Sequence, residues 1–169
     1  MGIPAKLKNF NVFADGDNWM GLVGEVQLPK LAKKVEQWRG GGMLSEVDIE
    51  MGLEKMEVEL KLGGMVVKAL RMFGAVGVSG TMLRFVGAYQ EDGIGLVKPA
   101  ELVMRGMVTE VDPGSAKVGD NTEWPMKATL SYIKWTINGR TEVEIDVLNC
   151  VMIIDGIDRM AAIRAAIGG

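Results

Sequence analysis

Few residues in this chain could do chemistry, and each group has a bland alternative. There is no histidine and one cysteine, Cys150. Ser-His-Asp and Cys-His arrangements are therefore excluded, as are metal sites built on imidazole. Cys150 stands in the run Val147-Leu148-Asn149-Cys150-Val151-Met152. Such apolar surroundings predict a buried, inert thiol, because a reactive one needs electropositive and partly open surroundings. Carboxylates recur two residues apart, Glu57 with Glu59 and Glu142 with Glu144 and Asp146. Paired carboxylates can run acid–base chemistry in a cleft. Here they alternate along strand patterns, and Lys55 and Lys61 flank the first pair, so a solvated strand face is expected.

The glycine clusters do not match phosphate loops. Gly74, Gly77 and Gly80 are spaced by three, and no Gly-Lys-Ser/Thr follows Gly63-Gly64. Asp112 to Glu123 has the length of a calcium loop with acids at both ends. Its sixth position is Lys117, where the sharp turn needs glycine. No catalytic residue, cofactor or metal is expected.

The totals narrow the class. A chain of 169 residues suits one domain, 1–169, with one core. Net charge is −3 and the pI about 5.1, which argues against electrostatic gripping of phosphate backbones. Mean hydropathy is +0.16, yet no run reaches the roughly 20 apolar residues of a membrane span. The N-terminus has no apolar stretch of signal-peptide length. One cysteine allows no internal disulfide, and a reducing site of synthesis is expected. Glycine is the anomaly: 23 residues, about twice the usual share of roughly 7%. Thirteen methionines suggest adaptable packing surfaces, in a core or between subunits.

The elements that position these residues are mostly strands. Asn9–Ala14 and Trp19–Gln27 flank the turn cluster 15–18 and predict a hairpin. Ala32–Arg39 reads as the next strand. From Lys55 to Leu62 polar and apolar residues alternate, with Lys55, Glu57, Glu59 and Lys61 on one face and Met56, Val58, Leu60 and Leu62 on the other. Between them, a connection at about 40–53 opens on Gly40-Gly41-Gly42 and Met43, directly after Trp38 and Arg39. Three glycines cost folding entropy without packing in return. The segment therefore reads either as an ordinary surface loop or as one ordered by a neighbouring subunit. The period then switches: Val66, Ala69, Leu70 and Phe73 recur at helical spacing, with Gly74 as the stop.

Strands follow at 82–90 and 100–111, with a turn at Asp112-Pro113-Gly114. Trp124–Ile137 and Arg140–Leu148 flank Asn138-Gly139, a strong type I′ hairpin signal. Within the first of these, Met126, Ala128 and Leu130 have one phase and Ile133, Trp135 and Ile137 the other. A bulge near Tyr132 or burial on both faces would explain it. Asp158–Ile167 reads as a short helix with Met160, Ile163, Ala166 and Ile167 on one side, capped by Asp155 or Asp158. About eight strands and two helices predict a mainly β protein, sandwich- or barrel-like, with one main α-helix and a short C-terminal one.

Several short strings, in order, carry a resemblance. Asn11-Val12-Phe13, Leu28-Pro29-Lys30-Leu31, Glu36-Gln37-Trp38-Arg39, the glycines to Met43 and Met51-Gly52-Leu53-Glu54 come first. Met104-Arg105-Gly106, Glu110 to Gly114, Glu144-Ile145-Asp146 and Ile154 to Asp158 follow. Across nearly its whole length the chain resembles the major tail tube protein of contractile-tailed bacteriophages, and equally the tube protein of R-type tailocins. Trp38 stands where tyrosine is usual, and the chain ends in Gly168-Gly169 without the usual terminal apolar residue.

The resemblance implies a structural, non-enzymatic subunit of the virion tail. It self-assembles into hexameric rings stacked as a rigid tube, the conduit for DNA ejection and envelope penetration. Its implied partners are a sheath outside, a tape measure protein and transiently DNA inside without sequence-specific binding, and baseplate or hub and terminator proteins at the ends. Two residue sets carry this forward. Trp38, Arg39, Gly40, Gly41, Gly42 and Met43 are expected at an inter-subunit contact. Lys55, Glu57, Glu59 and Lys61 are expected to face the lumen. A secretion-system tube shares the architecture. A β-barrel module for a small apolar ligand is the rival from another class, and a carboxylate-dependent hydrolase a more distant one.

Overall fold

A computed structural model describes residues 2–169. In chain order the strands are β1 (Lys6–Ala14), β2 (Asp17–Asn18), β3 (Val23–Gln27), β4 (Lys33–Trp38), β5 (Val47–Leu53) and β6 (Met56–Leu62). Helix α1 (Val67–Phe73) follows, then β7 (Thr81–Gln90), β8 (Val97–Val111), β9 (Trp124–Ile137), β10 (Arg140–Asp146), β11 (Val151–Ile154), β12 (Ile157–Asp158) and α2 (Ala161–Ala166). The protein is mainly β, and every pairing is antiparallel.

The long strands β7, β8 and β9 form the spine, with β1 and β2 beyond β7. One edge of β9 is held by β8 along its length. The other edge is shared: Trp124–Leu130 pairs with β6, which continues to β3, and Tyr132–Ile137 pairs with β10, which continues to β11 and β12. The sheet therefore forks, and the fork sits at a bulge. Arg105 opposes Tyr132 and Gly106 opposes Leu130, so Ser131 is the extra residue.

This bulge resolves the change of phase in β9. Met126, Ala128 and Leu130 before it, and Ile133 after it, are all buried in the same core, because one inserted residue flips the alternation. The bulge is held from several sides. Ser131 Oγ lies 2.6 Å from Ser79 Oγ and 3.1 Å from the Val78 carbonyl, and the Val147 N–H donates to the Ser131 carbonyl at 2.9 Å. Gly106 permits the close backbone approach: a Cβ there would stand 2.0 Å from the Thr129 carbonyl oxygen.

The core joins the apolar face of β6 (Met56, Val58, Leu60, Leu62) to Leu83 and Phe85 of β7 and Leu102 and Met104 of β8. Burying each such side chain contributes about 1.5–3 kcal/mol. Helix α1 packs over β8. The helix-forming period is correct, but the buried face differs from the expected one. Val66, Ala69 and Met72 are buried, whereas Leu70 and Phe73 are exposed. With only two turns, the helix meets the core through positions three apart, and Leu70 and Phe73 turn outward.

Two other expectations are corrected. The first hairpin is only two residue pairs long, Phe13 with Asn18 and Ala14 with Asp17. Its turn is Asp15-Gly16, both at positive φ. Trp19 then drops into the core, which ends the ladder, and β3 pairs with β6 instead. Second, β10 stops at Asp146, not Leu148. The chain reverses through 147–150, where Asp146 accepts from the Asn149 N–H at 3.2 Å and from Asn149 Nδ2 at 2.7 Å. This reversal and the Asp155-Gly156 turn create β11 and β12; with β2 and β5 they bring the described residues to twelve strands where about eight were expected.

Candidate assembly site: a projecting hairpin and a charged sheet face

Strands β4 and β5 pair only with each other, apart from the large sheet. The expected connection at 40–53 is therefore half strand: β5 occupies Val47–Leu53, and the loop is 39–46. Directly opposed residues share a face. Trp38 with Val47 and Glu36 with Ile49 make one face, largely apolar; Gln37 with Asp48 and Val35 with Glu50 make the other, more acidic. Both faces are exposed along β4 and β5. A lone two-stranded hairpin is marginal in water. This one is anchored at its base, where Leu53 packs on the core and the Glu54 N–H donates to the Ala32 carbonyl at 2.8 Å.

The tip brings the expected contact residues together. Met43 folds back over Gly40, its N–H donating to the Gly40 carbonyl at 3.3 Å and its sulfur accepting from the Gly40 N–H at 3.0 Å. Trp38 is 57% exposed, Leu44 98%, and Arg39 is exposed without an ion pair among the described residues. Gly42 has φ +82, a conformation that favours glycine. Gly41 has no such constraint: a Cβ there meets nothing within 4 Å. The subunit itself gives no reason for glycine at that position.

Lys55, Glu57, Glu59 and Lys61 lie on the solvent side of β6 and its approach, opposite the core face. Charges there are interleaved. Lys55 pairs with Glu57 at 2.9 Å, Lys61 with Glu25 at 3.3 Å, and Lys127 with Glu110 at 3.8 Å. Glu59 stands opposite Lys127 in the ladder. The hydrogen-bonded Glu25 carboxylate holds the Lys61 ammonium above its ordinary range. Such exposed pairs contribute little to stability; what they set is the mixed charge of this face.

The second carboxylate group is engaged in structure. Tyr132 donates to Glu144 at 2.6 Å, and burial together with that hydrogen bond pushes the Tyr132 hydroxyl up to about 12. Glu142 faces Arg140 at 3.7 Å, and Asp146 holds the 147–150 turn. Cys150 is not fully buried as expected. It is half-buried in that turn, at φ +53. Near α2, Asp158 accepts from the Met160 N–H at 3.1 Å and pairs with Arg164 at 2.7 Å, but neither it nor Asp155 caps the helix, which begins at Ala161 after Met160 with no side-chain cap hydrogen bond. The Arg164 hydrogen bond holds the Asp158 carboxyl below its usual range. Asp155 pairs with Arg140. Among the described residues no acidic or cysteine cluster could hold a metal.

Comparison with known proteins shows what kind of protein this is. The family model described as phage tail tube protein FII matches residues 4–168. The chain is 37% identical over 171 residues to the tail tube protein of Escherichia phage P2, covering 99% of both chains. It is 35% identical over 158 residues to the major tail tube protein of Serratia phage KSP20, covering 92% of this chain and 91% of that one.

The chain belongs to the phage tail tube protein FII family.

As a tail tube protein it is a structural component of the virion tail, not an enzyme. The fold agrees. A sheath–tube complex of an extracellular contractile injection system superposes with a TM-score of 0.56 at 9% identity, over 76% of this chain and 88% of that one. A sheath/tube terminator of the same kind of system gives the same TM-score over 94% of its length. No helix among the described residues is long and apolar enough to cross a membrane. In the hairpin, the strand at 47–53 goes beyond what the sequence reading gives. The alternation Val47-Asp48-Ile49-Glu50 is the signal that could have found it.

Proposed function

We propose that copies of this subunit form hexameric rings that stack into the tube, with the hairpin β4–β5 bridging to a neighbouring subunit. The single observation that carries this is the hairpin itself: anchored only at its base, exposed on both faces, and tipped by Trp38 and a glycine that its own fold does not require. A heterologous contact that closes by rotation gives a ring, and stacked rings give a filament. Among the described residues β3 pairs only with β6, so its other edge has no partner there. Closure around a ring would seal it.

In this reading the face bearing Lys55, Glu57, Glu59 and Lys61 looks into the channel. Its interleaved charges let a tape measure protein, and later DNA, pass without adhering. The sheath lies outside, and baseplate or hub and terminator proteins close the ends. The whole chain, 1–169, acts as one domain whose segment at about 40–53 serves the contact. Negative-stain microscopy of concentrated protein tests the assembly. Wild type gives tubes or rings, and Gly41→Val gives a folded subunit that does not grow them. Normal tubes from that variant would remove the hairpin from the contact.

A further inference from the structure

The fork in β9 leaves a groove of about 460 Å³ between the base of the hairpin and the β10–β11 arm. Its walls are apolar, with Leu53, Met56, Leu130, Ile145 and Met152 among them, and Cys150 in one side. Glu50, Glu54 and Asp146 stand along it, with Lys55 as the one cation. Lys55 is already paired with Glu57, whereas Glu50 and Glu54 have no ion-pair partner among the described residues. The groove therefore suits an apolar segment that carries a positive charge.

The hairpin tip has that chemistry: Trp38 and Leu44 are exposed, with the unpaired Arg39 between them in sequence. It cannot serve its own groove. Glu50, Gly52 and Leu53 line the groove whereas Trp38 and Leu44 do not, and from Val35, opposite Glu50, the strand runs on for about 10 Å to Trp38. The occupant must come from another molecule.

We propose that this groove is the socket for the hairpin tip of a second copy of the chain. Trp38 and Leu44 enter the apolar floor, and Arg39 meets Glu50 and Glu54. The inference rests on the tube reading and names the surface at the other end of the contact. Methionine-lined walls suit such a socket, because thioethers adapt to an inserted aromatic. Each subunit then carries both knob and socket on different surfaces, so the contact propagates from copy to copy.

Cys150 provides the test. Leu44→Cys, at a fully exposed position, is oxidised mildly or treated with a short bismaleimide during assembly. The expected result is a ladder of covalent oligomers that disappears when Cys150→Ser is added. Val118→Cys, on the other fully exposed loop, is expected to give none. In parallel, Arg39→Glu is expected to slow tube growth by about tenfold or more, and Glu54→Arg in the same chain to restore it. Tubes that grow from Leu44→Cys without a ladder through Cys150, or a ladder from Val118→Cys instead, would overturn the socket and leave the tube reading intact. Failure of wild type to form rings or tubes would remove that reading and the socket with it.

Discussion

Gly106 and Gly41 are the same residue type placed for opposite reasons. At Gly106 a Cβ would sit 2.0 Å from the Thr129 carbonyl oxygen, inside the bulge from which the sheet forks. At Gly41 a Cβ would touch nothing within 4 Å. The body uses glycine because its own backbone fills the space. The hairpin uses it where nothing in the subunit does, as the proposed contact with a neighbour would require. The contrast extends to the side chains around them. Leu102 is sealed in the core, whereas Trp38 stands in solvent on a strand with no buried residue.

Substitutions can break or sharpen this contrast. The largest effect is expected from Gly106→Ala, which should lose about 4 kcal/mol or more, because neither backbone can yield without opening the fork. Urea unfolding of the dispersed subunit measures it, and a loss below about 1 kcal/mol would undo the account of the bulge. Leu102→Ala follows at about 3 kcal/mol, from lost burial and the cavity left behind. Ser131→Ala, which removes the hydroxyl facing Ser79 and Val78, should cost about 1 kcal/mol. In the hairpin the same assay should barely respond. Trp38→Ala and Gly41→Val are each expected to shift subunit stability by no more than about 0.5 kcal/mol, yet to abolish tube growth. A large stability loss from either would place the hairpin with the body.

How much could be read beforehand follows the same division. The alternation from Lys55 to Leu62, the Asn138-Gly139 turn and the phase change in β9 are local patterns with local causes, and the structure honours each. The Ser131 bulge was legible because burial forces a phase break to show in the apolar positions. The reversal at 147–150 was not, since its left-handed residue is Cys150, held by Asp146–Asn149 hydrogen bonds where a glycine would have announced it. The pairing of β3 with β6 was equally hidden, because it depends on Trp19 being drawn into a core built from distant strands. At the candidate site, Trp38 and the glycines were conspicuous. The groove was not, because its walls come from several strands and the turns between them.

The smallest expected effect concerns pH. The Tyr132 hydroxyl is pushed from 10 up to about 12. Its stabilisation is therefore fully present below about pH 10 and is lost as pH rises through about 12. Wild type should lose stability relative to Tyr132→Phe across that window, and parallel curves would deny the Tyr132–Glu144 bond its role in the body.

Amide hydrogen exchange, followed in dispersed subunits and again in assembled tubes, addresses the hairpin most directly. The expected outcome is fast exchange over residues 33–53 in the subunit and strong protection in the tube, with β7, β8 and β9 protected in both. Equal protection of 33–53 in the two states would show that the hairpin is complete by itself, contradicting its role as the part that neighbours finish.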